Sequence, residues 1–338
     1  MEERVIATAQ EMKTSEVLWL AGLPCALAFV FVGTFRRYAL LHQILDHPGP
    51  RASHTHPTPR GGGLGLVAAM LLVQSVELRA RLDAPLLLAF TGVFLTVVVG
   101  WLDDRRSVGV RTRLAAHILA GVLLLPLALW PTAIPAWLGV SAGIWWVFWA
   151  VSAINVVNFV DGIDGLIGSQ ALIFGVHLSL SGQPGGLAAT IGLCLAGASV
   201  GFLLWNWPPA RIFLGDVGSG TLGLVFVVGG LLLMREGTVS IVTAFLPLYP
   251  IFLDASVTLL RRLRRGEPVA EAHRSHLYQR LANGSWGHAR VTLLYAAASL
   301  AALPLVRLPA TARTLGVAAY FLAILGLGLA LDRRASGR

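Results

Sequence analysis

Apolar runs recur along almost the whole chain, and they decide what it can fold into. Eleven of them lie at 16–35, 62–76, 85–101, 114–130, 141–160, 169–181, 186–205, 219–234, 239–260, 289–306 and 314–331. A helix crossing a bilayer needs about 20 predominantly apolar residues, and fewer where protein shields its ends. One such run could hide in a soluble core; eleven have too little polar surface to cover them. Composition agrees: 56% of the 338 residues are hydrophobic, 13% are charged, and the mean hydropathy is +0.72. The expectation is an all-α polytopic membrane protein of about eleven transmembrane helices, built as one membrane-embedded domain over residues 1–338. The segment 1–15 is mixed in charge and lacks a compact basic region, so the first apolar run reads as a retained span. Cys25 and Cys194 fall inside apolar runs and read as core packing, not as a disulfide.

Cations give the expected orientation. The loops after the odd-numbered runs, with the C-terminal tail, hold 19 of the 26 Lys and Arg; the other side holds 7. Positive charge accumulates on the cytoplasmic side of membrane proteins. The N-terminus is therefore expected outside and the C-terminus in the cytoplasm. The net charge of +9 is scattered through short loops, which argues against a nucleic-acid partner.

The acids sort to the same face as the arginines. Residues 154–169 read INVVNFVDGIDGLIGS and place Asn155, Asn158, Asp161 and Asp164 at spacings of three, at the end of an apolar run. On a helix, such groups follow one another around adjacent turns. Intramembrane ionisable groups are costly and are seldom kept without a role. Gly162 and Gly165 would allow backbone to approach a ligand. The bland alternative is a helix C-terminus with polar caps. Asp103 and Asp104 close the third run, in GWLDDRR. Adjacent helical residues point about 100° apart, so one is expected to face a reacting phosphate while the other orients it. A surface ion pair with Arg105 and Arg106 is the plain alternative. Asp216 sits in FLGDVGSG, where a carboxylate could reach a metal and bare amides could face phosphate oxygens, or where it could simply cap a helix. Basic loops supply the anion side. His54, His56 and Arg60 precede the second run, and His273, Arg274, His276 and Arg280 follow the ninth. The two histidines of HRSH lack a nearby third zinc ligand. Asp254 reads as an internal ion-pair partner.

Carboxylates and amide oxygens beside basic loops suit a magnesium-assisted phosphoryl transfer at a membrane surface. Five motifs then carry a resemblance: PTPRGGG, GWLDD, NVVNFVDGIDGL, FLGDVGSG and HRSHLYQRL, in that order between residues 46 and 280 or just beyond. The chain resembles the polyprenyl-phosphate N-acetylhexosamine-1-phosphate transferases of glycosyltransferase family 4. That family includes enzymes that start O-antigen and common-antigen synthesis and the phospho-MurNAc-pentapeptide translocase. The resemblance implies a UDP-N-acetylhexosamine donor, an undecaprenyl phosphate acceptor, loss of UMP, and a magnesium cofactor that manganese could replace. It implies a bacterial inner-membrane enzyme with a cytoplasmic active site, in lipid bilayer, with a homodimer left open.

Residue by residue, the resemblance makes Asn158 and Asp216 the magnesium ligands. Asp103 becomes the residue that meets the attacking phosphate, with Asp104 in support. Asp161 and Asp164 resemble nucleotide or metal-environment acids; His273, Arg274 and His276 match a loop over the donor, joined by Asn155 and Arg60 as substrate contacts. The translocase branch has three consecutive histidines where this chain has His-Arg-Ser-His, which points to the antigen-initiating branch and to donors that include 6-deoxy sugars. A UDP-GlcNAc transferase for common antigen or wall polymer is the alternative within enzymes. An ion-coupled transporter is the alternative outside them, although its acids would be expected near the midplane.

Overall fold

The computed structural model describes residues 14–48, 56–129, 136–237, 239–268 and 274–335. It is helical almost throughout. The elements are α1 (Thr14–Val17), a π turn (Leu18–Gly22), α2 (Leu23–Leu41), α3 (Gly63–Glu77), α4 (Ala84–Arg106), α5 (Val110–Leu123), α6 (Leu125–Ala128), α7 (Ala136–Val160), α8 (Leu166–Ser181) and α9 (Leu187–Asn206). There follow α10 (Asp216–Arg235), α11 (Ile241–Ala244), α12 (Tyr249–Arg264), α13 (Leu277–Leu281), α14 (Gly287–Leu300) and α15 (Ala310–Ala335). Two short strands, β1 (Leu45–Asp46) and β2 (Thr58–Pro59), pair antiparallel, Leu45 with Pro59 and Asp46 with Thr58.

Each of the eleven apolar runs is largely helical, and seven helices among the described residues are long and apolar enough to cross a membrane. The other runs are short or broken. α3 and α8 have 15 and 16 residues. The fourth run breaks at Leu124, ahead of Pro126, and the ninth around Phe245, ahead of Pro247 and Pro250. Proline lacks the N–H an interior turn needs, so it starts new helical segments and does not continue old ones. The protein is a multi-pass membrane protein: large apolar side chains such as Leu322, Leu315 and Phe148 point outward, 71%, 67% and 66% exposed.

α10 is the axis of the bundle. Every residue from Val217 to Leu233 is buried, and α4, α7, α3, α8 and α9 all pack on it. A helix apolar on all sides belongs in a core. Between helices in lipid, association rests on close packing and not on water exclusion, so the small residues of VGSGTLG suit this position.

Carboxylates from neighbouring elements cap three helix starts. The Glu236 carboxylate accepts from Gln183 N and Ala188 N, at the start of α9 (2.9 Å each). Asp254 accepts from Leu277 N (2.9 Å), Tyr278 N (3.0 Å) and Tyr295 Oη (2.7 Å), pinning α13. Asp104 does the same for α10, as described below. The first turn of a helix leaves its N–H groups unpaired, and in lipid no water is present to take them. At the far end of the bundle from Asp104, Arg235 pairs with Asp83 at 2.6 Å and Arg81 donates to Gly185 O.

Candidate active site

Two motifs distant in sequence are stitched together at one end of the bundle. Phe213 N donates to Pro59 O, Gly62 N to Phe213 O, and Gly63 N to Leu214 O, each at 2.8 Å. The glycine run of the first loop thereby forms a wall for the segment that leads into α10. Gly215 makes the turn into that helix at φ +77°, and a Cβ there would come within 2.6 Å of Asp104 Oδ2. Only glycine suits both demands.

Asp104 lies against this turn, 2% exposed. Its Oδ1 accepts from Asp216 N and its Oδ2 from Val217 N, both at 3.0 Å. Its backbone oxygen accepts from Arg60 Nη2 at 2.6 Å. Asp216 is thus the first residue of α10, with its side chain aimed toward Asn158, whose Nδ2 donates to Asp216 Oδ1 and to Ser219 Oγ (3.1 Å). These groups line a cavity of about 250 Å3 together with Asp46, Arg60, Asp161, Gly162, Asp164, Phe213, Gln279 and His288.

The opposite wall is the turn 161–165. Asp164 Oδ2 accepts from Ala210 N at 3.0 Å and lies 3.2 Å from His288 Nδ1. The Asn206 side chain braces the turn, accepting from Gly165 N and donating to Ile212 O, each at 2.9 Å. Asp161 has no comparable partner among the described residues. Burial, then the charges of Asp216, Asp104 and Asp164, push its carboxyl well above the usual carboxylate range.

That shift has a sign. Folded Asp161 keeps a proton that the unfolded chain releases near pH 4, so ionising it costs folding energy. In EDTA, the thermal midpoint is expected to fall as pH rises from about 4 through the raised folded value. Asp161→Asn should flatten that dependence. A pH series of melting curves checks it, and identical slopes for the two proteins would contradict the assignment.

The structure brings together Arg60, Asp104, Asn158, Asp161, Asp164 and Asp216 of the residues singled out above. Among the described residues, Asp103, Asn155, Arg274 and His276 do not line that cavity. Asp103, expected to face the phosphate, is turned away from the cavity lining: its Oδ2 pairs with Arg113 Nη1 at 2.7 Å and its Oδ1 accepts from Val108 N, although its carboxyl approaches Asp216. Asn155 donates to Val151 O one turn back along α7 (2.7 Å). His276 is buried beside Asp254, 3.7 Å from its Oδ1, and Arg274 is exposed. His54 and His273 lie outside the described residues. Gln279, His288 and Ser219 line the cavity and were not singled out. Ser219, one turn along α10 from Asp216, was the most readable of them. Gln279 and His288 arrive through the packing of α13 and α14, for which the sequence holds no spacing signal.

Comparison with known proteins places this geometry. The model of glycosyl transferase family 4 matches residues 86–234, the stretch that carries Asp104, Asn158, Asp161, Asp164 and Asp216. A phospho-N-acetylmuramoyl-pentapeptide-transferase of Lacticaseibacillus paracasei is 31% identical over 239 residues, covering 63% of this chain and 73% of the relative. The chain belongs to glycosyl transferase family 4. Other relatives extend the match beyond the central stretch. The decaprenyl-phosphate N-acetylglucosaminephosphotransferase of Mycolicibacterium smegmatis is 28% identical over 329 residues, 82% of this chain and 78% of its own. The undecaprenyl-phosphate alpha-N-acetylglucosaminyl 1-phosphate transferase of Thermotoga maritima is 28% identical over 263 residues, 77% and 81%. For a member of this family, the cavity end of the bundle is the candidate active site, and its two walls differ. One offers Asp104, Asp216, Asn158 and Arg60 around a helix N-terminus; the other offers Asp161, Asp164, Gln279 and His288.

Proposed function

We propose that the protein transfers an N-acetylhexosamine 1-phosphate from its UDP conjugate to a polyprenyl phosphate such as undecaprenyl phosphate, releasing UMP and starting a surface polysaccharide. The observation that carries this reading is the meeting of clustered acids, Arg60 and the start of α10 in one cavity at the end of an apolar bundle. Such a site takes a charged diphosphate while the bundle stays in lipid. The gathering of the acids at one end also weighs against the transporter alternative. The arginine bias supports a cytoplasmic location for this end, with the N-terminus outside, eleven crossings and the bacterial inner membrane as the site of action. Two relatives are named for N-acetylglucosamine, which supports UDP-GlcNAc as the first donor to try, ahead of the 6-deoxy sugars of the antigen-initiating branch.

In this reading an oxygen of the lipid phosphate attacks the sugar-linked phosphorus. The bond to the second phosphate breaks, and UMP leaves with the electron pair. A phosphate monoester is largely dianionic near neutral pH, so the nucleophile needs little help from a base. The Arg60 guanidinium and the positive end of α10 attract and orient phosphate oxygens. Direct attack is favoured over a covalent aspartyl intermediate, because the acceptor phosphate is itself a competent nucleophile near neutral pH.

The donor set fits magnesium. Among the described residues no three acidic, histidine or cysteine side chains converge as a closed cage. Magnesium is usually held by one or two carboxylates together with substrate phosphates and water; Asp216 would provide a carboxylate and Asn158 its amide oxygen, with Asp161 nearby. Burial first, and then the charges of Asp216, Asp104 and Asp164, raise the Asp161 carboxyl, and a nearby cation would favour its ionised form. Bound there, the ion would neutralise charge developing on the transferred phosphate. Purified protein with undecaprenyl phosphate, UDP-GlcNAc and magnesium is expected to release UMP, and EDTA to stop it. Folded protein that releases none from a panel of UDP-N-acetylhexosamines would overturn the reading.

A further inference from the structure

We propose that Gln279 binds the sugar-nucleotide donor through its side-chain amide, taking a hydrogen bond from an N–H or O–H group of that donor. The inference rests on the transferase reading above. Gln279 is in α13, and α13 is rigidly held. Asp254 caps its first two N–H groups, and Tyr278 Oη donates to Phe159 O at 2.9 Å. The backbone of Gln279 is therefore fixed over the turn that carries Asp161 and Asp164.

The side chain lines the cavity, is 7% exposed, and its Oε1 is buried without a hydrogen-bond partner among the described residues. A buried amide oxygen left unpaired is costly, and native proteins seldom keep one without a reason. The facing turn is cut back to admit this side chain. A Cβ at residue 162 would stand 3.2 Å from Gln279 Nε2 and 2.3 Å from Tyr278 Oη, so Gly162 leaves the space that the amide and the phenol occupy.

The chemistry narrows the ligand. A neutral amide has no charge with which to draw a phosphate, and Oε1 only accepts. The phosphates of an ionised UDP-sugar at neutral pH also only accept. The polyprenyl chain offers no donors. With magnesium assigned to Asp216 and Asn158 on the other wall, what remains is the uncharged part of the sugar nucleotide: a hydroxyl of the transferred sugar or of the ribose, an acetamido N–H, or the N–H of the base. A site that pairs a buried polar group with one ligand group discriminates strongly against analogues that lack it.

The test compares wild type, Gln279→Met, which keeps much of the volume and removes the polar atoms, and Gln279→Glu, which keeps the acceptor and adds charge. All are full-length, with UDP-GlcNAc, undecaprenyl phosphate and magnesium. Gln279→Met is expected to raise the donor KM about ten-fold, the loss of one neutral hydrogen bond. The acceptor KM should stay within about two-fold, and the melting temperature should be unchanged or higher, since Oε1 has no partner to lose among the described residues. Gln279→Glu should retain more donor affinity than Gln279→Met if an N–H or O–H is the group received. Binding of UDP alone distinguishes the two sources: weakened UDP binding assigns the uridine, base or ribose, and unchanged UDP binding with weakened UDP-GlcNAc binding assigns the transferred sugar. An unchanged donor KM in an active Gln279→Met protein overturns the inference and leaves the transferase reading intact. A lowered melting temperature with equal losses for both substrates also overturns it, in favour of a structural role. A folded wild type that neither binds nor uses any UDP-sugar overturns both.

Discussion

Asp216→Asn is expected to abolish UMP release while leaving the bundle folded. The substitution keeps the shape of the side chain and removes its charge. Its backbone N–H still donates to Asp104, so the start of α10 stays in place, and an asparagine can still exchange a hydrogen bond with Asn158. What disappears is the negative charge at the mouth of the buried helix. Mutations that remove one preorganised charge-stabilising group cost about 100- to 1000-fold in turnover, and loss of a metal ligand costs at least that. Stability should move the other way. Asp216 is one of the carboxylates that push the Asp161 carboxyl upward, so neutralising it relieves repulsion in metal-free protein. The melting temperature in EDTA should be equal or higher. Turnover above about a tenth of wild type would remove Asp216 from the reacting centre.

Asp104→Ala is expected to lose activity and stability together, and the contrast with Asp216→Asn is the informative part. Its two carboxylate oxygens are the partners of Asp216 N and Val217 N, and the residue is buried. Alanine would strand two buried N–H groups, at roughly 1–3 kcal/mol each, so a loss on the order of 2–6 kcal/mol is expected. Water or an altered α10 start would set where in that range it falls. Asp104→Asn keeps one acceptor and turns an NH2 toward the other N–H, so it should lie between wild type and alanine in stability. Chemical denaturation beside UMP release measures both. An Asp104→Ala protein as stable as wild type would mean that the carboxylate does not hold α10, and that its place in the cavity needs another explanation.

The two aspartates show how much of the site was readable. Asp103 and Asp104 stand side by side in the chain, and the 100° rule says that only one of them faces any given direction. It does not say which. The rotation of α4 against α10 turns Asp104 into the cavity and Asp103 toward Val108 and Arg113. The histidine loop is a similar case. The resemblance implied a cover of His273, Arg274 and His276 over the donor; His276 is drawn to the buried Asp254, His273 lies outside the described residues, and the cavity lining includes Gln279 and His288. Asp254 read as an ion-pair partner; it is also the cap that holds α13, accepting from the two N–H groups that start that helix.

The helical membrane architecture was determined by sequence alone. Apolar runs of this length leave the backbone no partner but itself, and only helices or closed barrels satisfy that condition in lipid. Local sequence also placed the acids, glycines and arginines at the ends of those helices, which is enough to recognise a phosphate-handling surface. The tertiary structure alone decided which of them meet. Asp104, Asn158, Asp161 and Asp216 come from four elements spread over more than 100 residues, and their directions follow from how helices rotate and cross when packed around α10. Those rotations depend on contacts between distant side chains, which no local period in the chain records.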